Sequence, residues 1–179
     1  ISKKFGVSKT PSREALNYLC VEGFLEKIPN KGYLVKGISV TELQSLIQFR
    51  GILEKASAQM AIQYATDEEL KSLRDFAKQQ VSMVEGNSYQ EYSAMNMQFH
   101  MSVAYLSRNS YLMSALEGTL NKLRRVLVKD WKSSKAKSLM EAHLKLVDAL
   151  IERNVERAQE YVEEELEGVE YRLYFKRER

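Results

Sequence analysis

The chain has little of what a cross-linked, membrane-spanning or turn-rich protein needs. Its single cysteine, Cys20, excludes an intramolecular disulfide and is typical of a reducing compartment. Two prolines and eight glycines in 179 residues are too few for a fold of many short strands, so helices are favoured. No apolar run approaches the roughly 20 residues of a membrane-spanning helix. These absences predict a cytoplasmic, mainly helical protein without a membrane segment.

Positive charge is concentrated at one end of the sequence. Residues 1–37 hold seven basic and three acidic side chains, a balance of +4, whereas the remaining residues hold 20 basic and 21 acidic ones. Such a patch attracts phosphate backbones, although a solvated basic surface would look the same from charge alone. The first residues, ISKKFGV, contain neither an initiator Met nor the apolar core of a signal peptide. We therefore expect the chain to begin inside a longer protein.

Residues 1–37 have the pattern of a partial winged helix-turn-helix. A short helix is predicted to stop at Gly6, and a second one, from SKTPSREALN onward, to end at Gly23. Two β-type runs, 25–28 and 33–35, flank a Pro-Asn-Lys-Gly turn. Helix, turn, helix and hairpin together form the winged version of a DNA-reading motif. Helical spacing gives the second helix a predicted inward face of Ala15, Leu16, Leu19 and Cys20.

Polar and basic side chains occupy the positions that this motif turns toward DNA. The start of the second helix enters the major groove, and the wing tip reaches the backbone or a minor groove. Lys and Arg bind phosphates or guanine edges, and hydroxyl groups bind either phosphates or bases. The predicted DNA-binding residues are Ser8, Lys9, Thr10, Ser12, Arg13, Lys31 and Gly32.

The rest of the chain predicts six helices. The pairs Ser39–Glu42, Thr66–Glu69 and Ser88–Glu91 have the spacing of a capping box, in which each side chain bonds the other residue's backbone N–H. The predicted helices cover 39–64, 67–85, 88–107, 110–130, 138–153 and 155–175, with a loop at 131–137. Helices of this length form an antiparallel bundle whose interior can hold a ligand or a metal ion.

Both parts of the sequence resemble one protein family. GVSKTPSREALNYLCVEGFLEKIPNKGYLV resembles the winged-helix domain of GntR-type bacterial transcriptional regulators, in their FadR-like branch. LIQFRGILEKASAQMA, NMQFHMSVAYLSRNSYL and EAHLKLVDALIERNVERA resemble the family's helical ligand-binding (FCD) domain. Six helices point to the metal-associated, VanR-like subgroup. The resemblance implies a DNA-binding domain at 1–37 and an effector-binding and dimerisation domain at 38–179.

This resemblance implies a regulator and not an enzyme. Such proteins bind double-stranded operator DNA as homodimers and respond to a small carboxylate effector. The family's recognition-helix contacts correspond to Ser8, Lys9, Thr10 and Arg13, and Gly32 belongs to the wing. Lys9 stands where Arg is usual, which replaces a planar two-point donor by a single point charge.

The resemblance also implies a metal site. The family's ligands are an Asp and a His four residues apart, followed by two His 22 apart; this chain has Asn96, His100, His143 and Glu165 at those positions. Imidazoles and carboxylates suit a divalent ion such as zinc or nickel, whereas the amide of Asn96 is a weaker, neutral ligand. The alternative is that Glu165 is one of seven acids on a solvated helix and that the histidines are core residues.

Three further residues are predicted to bind the effector. Arg50, in FRGILE, matches an Arg near the family's pocket and could hold a carboxylate through two hydrogen bonds. An ion pair with Glu54, one turn along the helix, is the alternative for this residue. Tyr105 and Asn109 are the other two candidates.

Two other functions stay open at this point. His100, His143 and Glu165 could hold iron in a helical metalloenzyme, since two imidazoles and one carboxylate leave open positions on that metal. A helical protein that only oligomerises, without an effector, is the second alternative. The sequence contains no nucleophile–base pair, Gly-rich phosphate loop or Cys-x-x-Cys, so no catalytic residue is predicted.

Overall fold

The computed structural model describes the backbone of residues 2–124 and 136–174, and the side chains of these residues as far as Glu167. The described residues form eight helices and one two-stranded hairpin, which confirms the mainly α fold. The chain divides into two compact units, Ile1–Val40 and Thr41–Arg179. The roles assigned to residues 1–37 and 38–179 stay predictions. No helix in the described ranges is both long and apolar enough to cross a membrane.

The N-terminal unit contains the predicted helix-turn-helix and hairpin. Its elements, in chain order, are α1 (Ser2–Phe5), α2 (Lys9–Val21), β1 (Leu25–Ile28) and β2 (Gly32–Val35). Gly6 and Gly23 follow the two helices with φ angles of 65° and 75°. Glycine adopts this left-handed conformation without steric cost, and it commonly ends helices for that reason.

The hairpin turns at the predicted place. The two strands are antiparallel, with Ile28 opposite Gly32. The backbone N–H of Lys31 donates to the carbonyl oxygen of Ile28 at 3.1 Å and closes the turn. Asn30 and Gly32 have φ angles of 58° and 110°, which Asn and Gly tolerate better than other residues. The turn therefore presents Lys31 at the tip of the wing.

The inward face predicted for α2 is only partly buried. Leu16 and Cys20 are half-buried, whereas Ala15 is exposed and Leu19 is 36% exposed. Ser12 is the residue of α2 that is buried. A unit of about 40 residues has too few residues to cover a whole helix face, because shorter chains bury a smaller fraction of their surface.

From Val40 onward, the described residues form the six predicted helices. They are α3 (Val40–Tyr64), α4 (Asp67–Met83), α5 (Tyr89–Leu106), α6 (Ser110–Leu123), α7 (Ala136–Ile151) and α8 (Val155–Tyr174). Helix α7 begins two residues before the predicted start at 138. The end of the predicted helix 110–130 and most of the predicted loop 131–137 fall at 125–135, outside the described residues.

Capping boxes set the beginning of α4 and α5, as the sequence predicts. At α4, the backbone N–H of Thr66 donates to Glu69 Oε2 at 2.9 Å, and the N–H of Glu69 donates to Thr66 Oγ1 at 3.2 Å. At α5, Ser88 and Glu91 exchange the same two bonds at 2.8 and 3.3 Å. Each box satisfies N–H groups that the first turn of a helix leaves unbonded. The second box fixes the position of α5, which carries His100.

The core of the helical unit lies where α7 packs against α4 and α8, and where α5 packs against α6. Fully buried side chains include Ile47, Leu70, Phe99, Leu116, Met140, Leu150 and Val162. Burying one such side chain contributes about 1.5–3 kcal/mol through the hydrophobic effect. Two histidines and an arginine lie within this apolar interior, so their polar atoms need partners there.

Candidate functional site

Most of the predicted DNA-binding residues lie exposed at the start of α2 and at the hairpin tip. Ser8 is the N-cap residue of α2, and its side chain makes no capping hydrogen bond. Lys9, Thr10 and Arg13 are exposed in the first turns of the helix. Basic side chains and unbonded backbone N–H groups therefore occur at the same helix end, a combination that favours phosphate.

Ser12 differs from the other predicted DNA-binding residues of α2 because it is buried, and its DNA-binding role stays a prediction. Its side chain is 9% exposed, and its Oγ donates to the carbonyl oxygen of Ser8 at 2.9 Å. This bond to the N-cap residue supports the start of α2. At the wing, Lys31 is exposed, and Tyr33 donates its hydroxyl proton to Asn17 Oδ1 at 2.9 Å. This bond ties the hairpin to α2.

In the helical unit, five polar residues from four helices converge on one buried site, which we call the buried cluster. It contains Arg50 and Glu54 of α3, His100 of α5, His143 of α7 and Glu165 of α8. Their exposed fractions are 14% for Glu165 and at most 5% for the other four.

A side chain of α8 comes close to α3 beside the cluster. Gly51 follows Arg50, and a Cβ atom added at Gly51 would lie 2.8 Å from Leu166 Cδ1. Glu165 precedes Leu166 and points inward, whereas the neighbouring Glu164 is exposed. The small residue at position 51 thus leaves room beside Arg50 for the side chain of Leu166, the neighbour of Glu165.

Arg50 is the centre of the hydrogen-bond network. Its Nε donates to Glu54 Oε1 at 2.8 Å, and its Nη2 donates to Glu165 Oε1 at 2.7 Å. The same Nη2 lies 3.0 Å from His100 Nε2. His100 in turn has Nδ1 at 3.1 Å from Glu54 Oε1 and Nε2 at 3.2 Å from Glu165 Oε1. One guanidinium therefore links three helices through two carboxylates and an imidazole.

The opposite charges in the cluster stabilise one another. Burial acts to lower the pKa of Arg50, but the carboxylates of Glu54 and Glu165 outweigh burial and raise it above its usual value. Burial acts to raise the pKa of Glu165, yet the interactions with His100 and Arg50 hold it well below its usual value. The Arg50–Glu165 pair is therefore ionised at neutral pH.

His143 lies at the edge of the network with its ring nitrogens unpaired. Neither Nδ1 nor Nε2 has a hydrogen-bond partner, and Nε2 lies 3.9 Å from Glu165 Oε2. The imidazole stacks on Phe99, with ring centroids 3.9 Å apart and planes 7° from parallel. Burial lowers the pKa of His143 to about 3, with the Glu165 charge acting in the opposite direction. His143 is therefore a neutral imidazole with two unused nitrogens.

Comparison with known proteins identifies the family. Residues 45–168 match the FCD domain. The Nta operon transcriptional regulator of Aminobacter aminovorans is 32% identical over 162 residues, which span 90% of this chain and 76% of that protein. The chain belongs to the FCD-domain transcriptional regulators of the GntR family.

Solved structures share the fold of this FCD-domain regulator. E. coli McbR/YncC has a TM-score of 0.85 at 20% identity, covering 98% of this chain and 84% of that one. A GntR transcriptional regulator from Rhodococcus sp. RHA1 has a TM-score of 0.75 at 18% identity, covering 96% and 83%. The family assignment confirms a regulator and not an enzyme, which sets aside the metalloenzyme alternative.

The buried cluster of this FCD-domain regulator contains three of the four predicted metal ligands. His100, His143 and Glu165 each offer a ligand atom, and these atoms lie within 4.8 Å of one another. The fourth, Asn96, is half-buried on α5, where its Oδ1 accepts a 3.4 Å hydrogen bond from the hydroxyl of Tyr92. The described contacts do not connect Asn96 to the other three.

In the described arrangement, the Arg50 guanidinium lies beside the atoms that a metal ion would use. Arg50 Nη2 contacts both His100 Nε2 and Glu165 Oε1, so the guanidinium lies against two of the three residues that offer ligand atoms. A divalent ion at the usual distance of about 2.0–2.2 Å from both atoms on that side would overlap Nη2. The ligand types and their spacing suit a metal ion. However, the Arg50 guanidinium, which stays charged, lies against the side that His100 and Glu165 share.

The predicted effector residues do not form one site in the described structure. Arg50 makes the ion pair with Glu54 that was the alternative for this residue. Tyr105 is 59% exposed and lines an open groove of about 720 Å³, to which no residue of the buried cluster contributes. Asn109 caps α6, where its Oδ1 accepts from the backbone N–H of Leu112 at 3.1 Å. The effector roles of these residues stay predictions.

Two members of the site lay outside the predicted set of site residues. The sequence predicts Glu54 only as a partner of Arg50, whereas in the structure it also lies against His100. Its four-residue spacing from Arg50 on a helix with an apolar face was the available signal. Phe99 forms the stacking surface for His143, and no local pattern distinguishes it from an ordinary core residue.

Proposed function

We propose that this FCD-domain regulator binds double-stranded operator DNA in the cytoplasm as a homodimer and responds to a small organic acid. The observation that carries the proposal is the exposed set Ser8, Lys9, Thr10 and Arg13 at the start of α2, together with Lys31 at the hairpin tip. This set lies in a compact unit of its own, in a chain whose family consists of transcriptional regulators.

DNA contact follows from the chemistry of this surface. Lys9 and Arg13 can neutralise phosphates, which releases counterions and makes binding depend strongly on salt. Arg13 can also read guanine through two hydrogen bonds, whereas Lys9 acts as a point donor. Two copies related by a dimer axis would present two recognition helices to a palindromic operator. Substituting Lys9 is expected to weaken binding to all sequences, and substituting Arg13 to relax specificity as well.

The effector role is proposed for Arg50. A guanidinium fork matches a carboxylate, and the buried position of Arg50 strengthens any charge interaction made there. In the described structure, Glu54 and Glu165 already bind this guanidinium. An incoming acid therefore has to compete with the carboxylate of Glu165, which comes from another helix. Its entry would loosen α8 from α3, a change that could reach the DNA-binding units of a dimer.

A metal-assisted version of the site is the competing candidate, and it excludes the described position of the Arg50 guanidinium. His100, His143 and Glu165 would hold a divalent ion such as zinc or nickel, and the ion would supply a positive centre for the effector's carboxylate. This version is favoured by the unpaired nitrogens of His143. It requires the Arg50 guanidinium to leave its present position.

The test is a binding assay on the full chain with fluorescent duplex DNA. A pool of random duplexes is first enriched on the protein to obtain a preferred site. Small mono- and dicarboxylates are then added one at a time, and the dissociation constant is measured. We expect salt-sensitive duplex binding, with a dissociation constant that at least one acid changes. The variant Arg50→Lys is expected to keep DNA binding but to lose this response to the acid. Absence of duplex binding would contradict the DNA role, and binding that no acid alters would contradict the effector role.

A further inference from the structure

The position of Arg50 in the buried cluster resembles that of a bound cation. Its Nη2 lies between His100 Nε2 and Glu165 Oε1, two atoms that are 3.2 Å apart, at 3.0 and 2.7 Å from them. A metal ion bound to both His100 Nε2 and Glu165 Oε1 on this side would occupy the same space. The hydrogen bonds of Nη2 use the lone pairs that a metal–ligand bond would need.

The guanidinium is held in this position from its other side. Nε of Arg50 donates to Glu54 Oε1 at 2.8 Å, and the Arg50 side chain is 3% exposed. Arg50 therefore has two buried carboxylate partners, one on its own helix and one on α8. An arginine keeps its charge in proteins, so it cannot yield to an incoming ion by losing a proton. The ion would have to break both contacts of Nη2 and tolerate a neighbouring positive charge.

We propose that the Arg50 guanidinium takes the place of a divalent ion in the buried cluster, so that the wild-type protein binds no divalent ion there. Arg50 supplies the positive charge that joins α3, α5 and α8 through Glu165 and His100. Removing the guanidinium turns His100, His143 and Glu165 into a metal site, since two imidazoles and a carboxylate are then free. This proposal does not rest on the proposed DNA function, because metal binding is measured without DNA.

The test measures Co²⁺ binding by the full chain after treatment with a chelator. Cobalt reports its ligands through its visible absorption, and equilibrium dialysis gives the number of bound ions. The proteins compared are wild type, His143→Ala, Arg50→Gln, Arg50→Lys, and Arg50→Gln combined with His143→Ala. The Lys variant keeps a cation at this position and serves as the matched control.

The expected result is a gain of binding on removal of the guanidinium. Wild type and Arg50→Lys take up no stoichiometric Co²⁺, whereas Arg50→Gln takes up about one ion per chain with an absorption band from nitrogen and oxygen ligands. Adding His143→Ala abolishes that uptake. Wild-type protein that takes up one Co²⁺ per chain, with the uptake lost in His143→Ala, would overturn the proposal.

A second variant keeps the test decisive if Arg50→Gln does not fold. Arg50→Gln leaves Glu54 as a buried carboxylate without its cation, which is destabilising. Replacing both residues, Arg50→Gln with Glu54→Gln, removes this unpaired charge and leaves the three ligands in place. The double variant is expected to bind Co²⁺ as well. A double variant with the helix content of wild type that binds no Co²⁺ contradicts the proposal.

Discussion

Replacing His143 by leucine should stabilise the protein toward mild acid. The folded state holds His143 neutral, with a pKa of about 3, whereas an unfolded chain titrates it near 6.5. As the pH falls, the unfolded state binds the proton first, so the stability from this residue is complete above about pH 6.5 and is lost toward pH 3. Proton linkage gives a loss of about 2 kcal/mol between about pH 7 and pH 5.

The assay is urea unfolding of wild type and His143→Leu at both pH values. Comparing the two proteins cancels the titration of all other groups, and we expect their difference in unfolding free energy to change by about 2 kcal/mol in favour of the variant. At neutral pH the variant should be at least as stable, because both ring nitrogens of His143 lack partners and their burial is costly. A difference that does not change with pH would refute the neutral, desolvated state of His143. A large loss of stability at neutral pH would show that the imidazole has a bound partner.

Two further predictions concern the helices. Thr66→Ala should cost about 1 kcal/mol of unfolding free energy because it removes the cap of α4, whereas Ser72→Ala on the exposed face of the same helix should be nearly neutral in the same urea assay. Gly118→Ala on α6 has open space around it and should stabilise by about 0.5–1 kcal/mol. Gly51→Ala should lack that gain and cost about 1–3 kcal/mol, since its methyl group meets Leu166; equal effects of the two glycine substitutions would contradict the close approach of α8.

Local signals predicted the helices and the hairpin because they act over a few residues. The pairing of Thr66 with Glu69 joins a side chain to a backbone three positions away, so a sequence motif reports it directly. The turn at Asn30 and Gly32 is likewise a property of four consecutive residues. Asn109 carried the same kind of signal, since it is a preferred cap residue three positions before Leu112. Its Oδ1 accepts the hydrogen bond of a helix cap, and its role in effector binding stays a prediction.

The residues of the buried cluster could be predicted from the sequence, but most of their contacts could not. The histidines and Glu165 could be placed in one site through the family pattern, and the structure brings them together. The contact of Arg50 with Glu165 joins residues 115 positions apart, so it depends on how α3 and α8 pack and no local spacing encodes it. The inward position of Ser12 depends in the same way on the environment of α2.

The central claim is that the N-terminal unit of this regulator binds duplex DNA through Lys9 and Arg13. The most direct measurement is the affinity of the full chain for its preferred duplex at several salt concentrations. The proteins are wild type, Lys9→Ala, Arg13→Ala and the control Lys78→Ala, which removes an exposed lysine of α4. We predict that affinity falls steeply with salt, and that each of the first two variants lowers the log–log slope by about one per bound chain, while Lys78→Ala leaves it unchanged. Duplex binding that does not depend on salt, or that responds equally to all three substitutions, would contradict the claim.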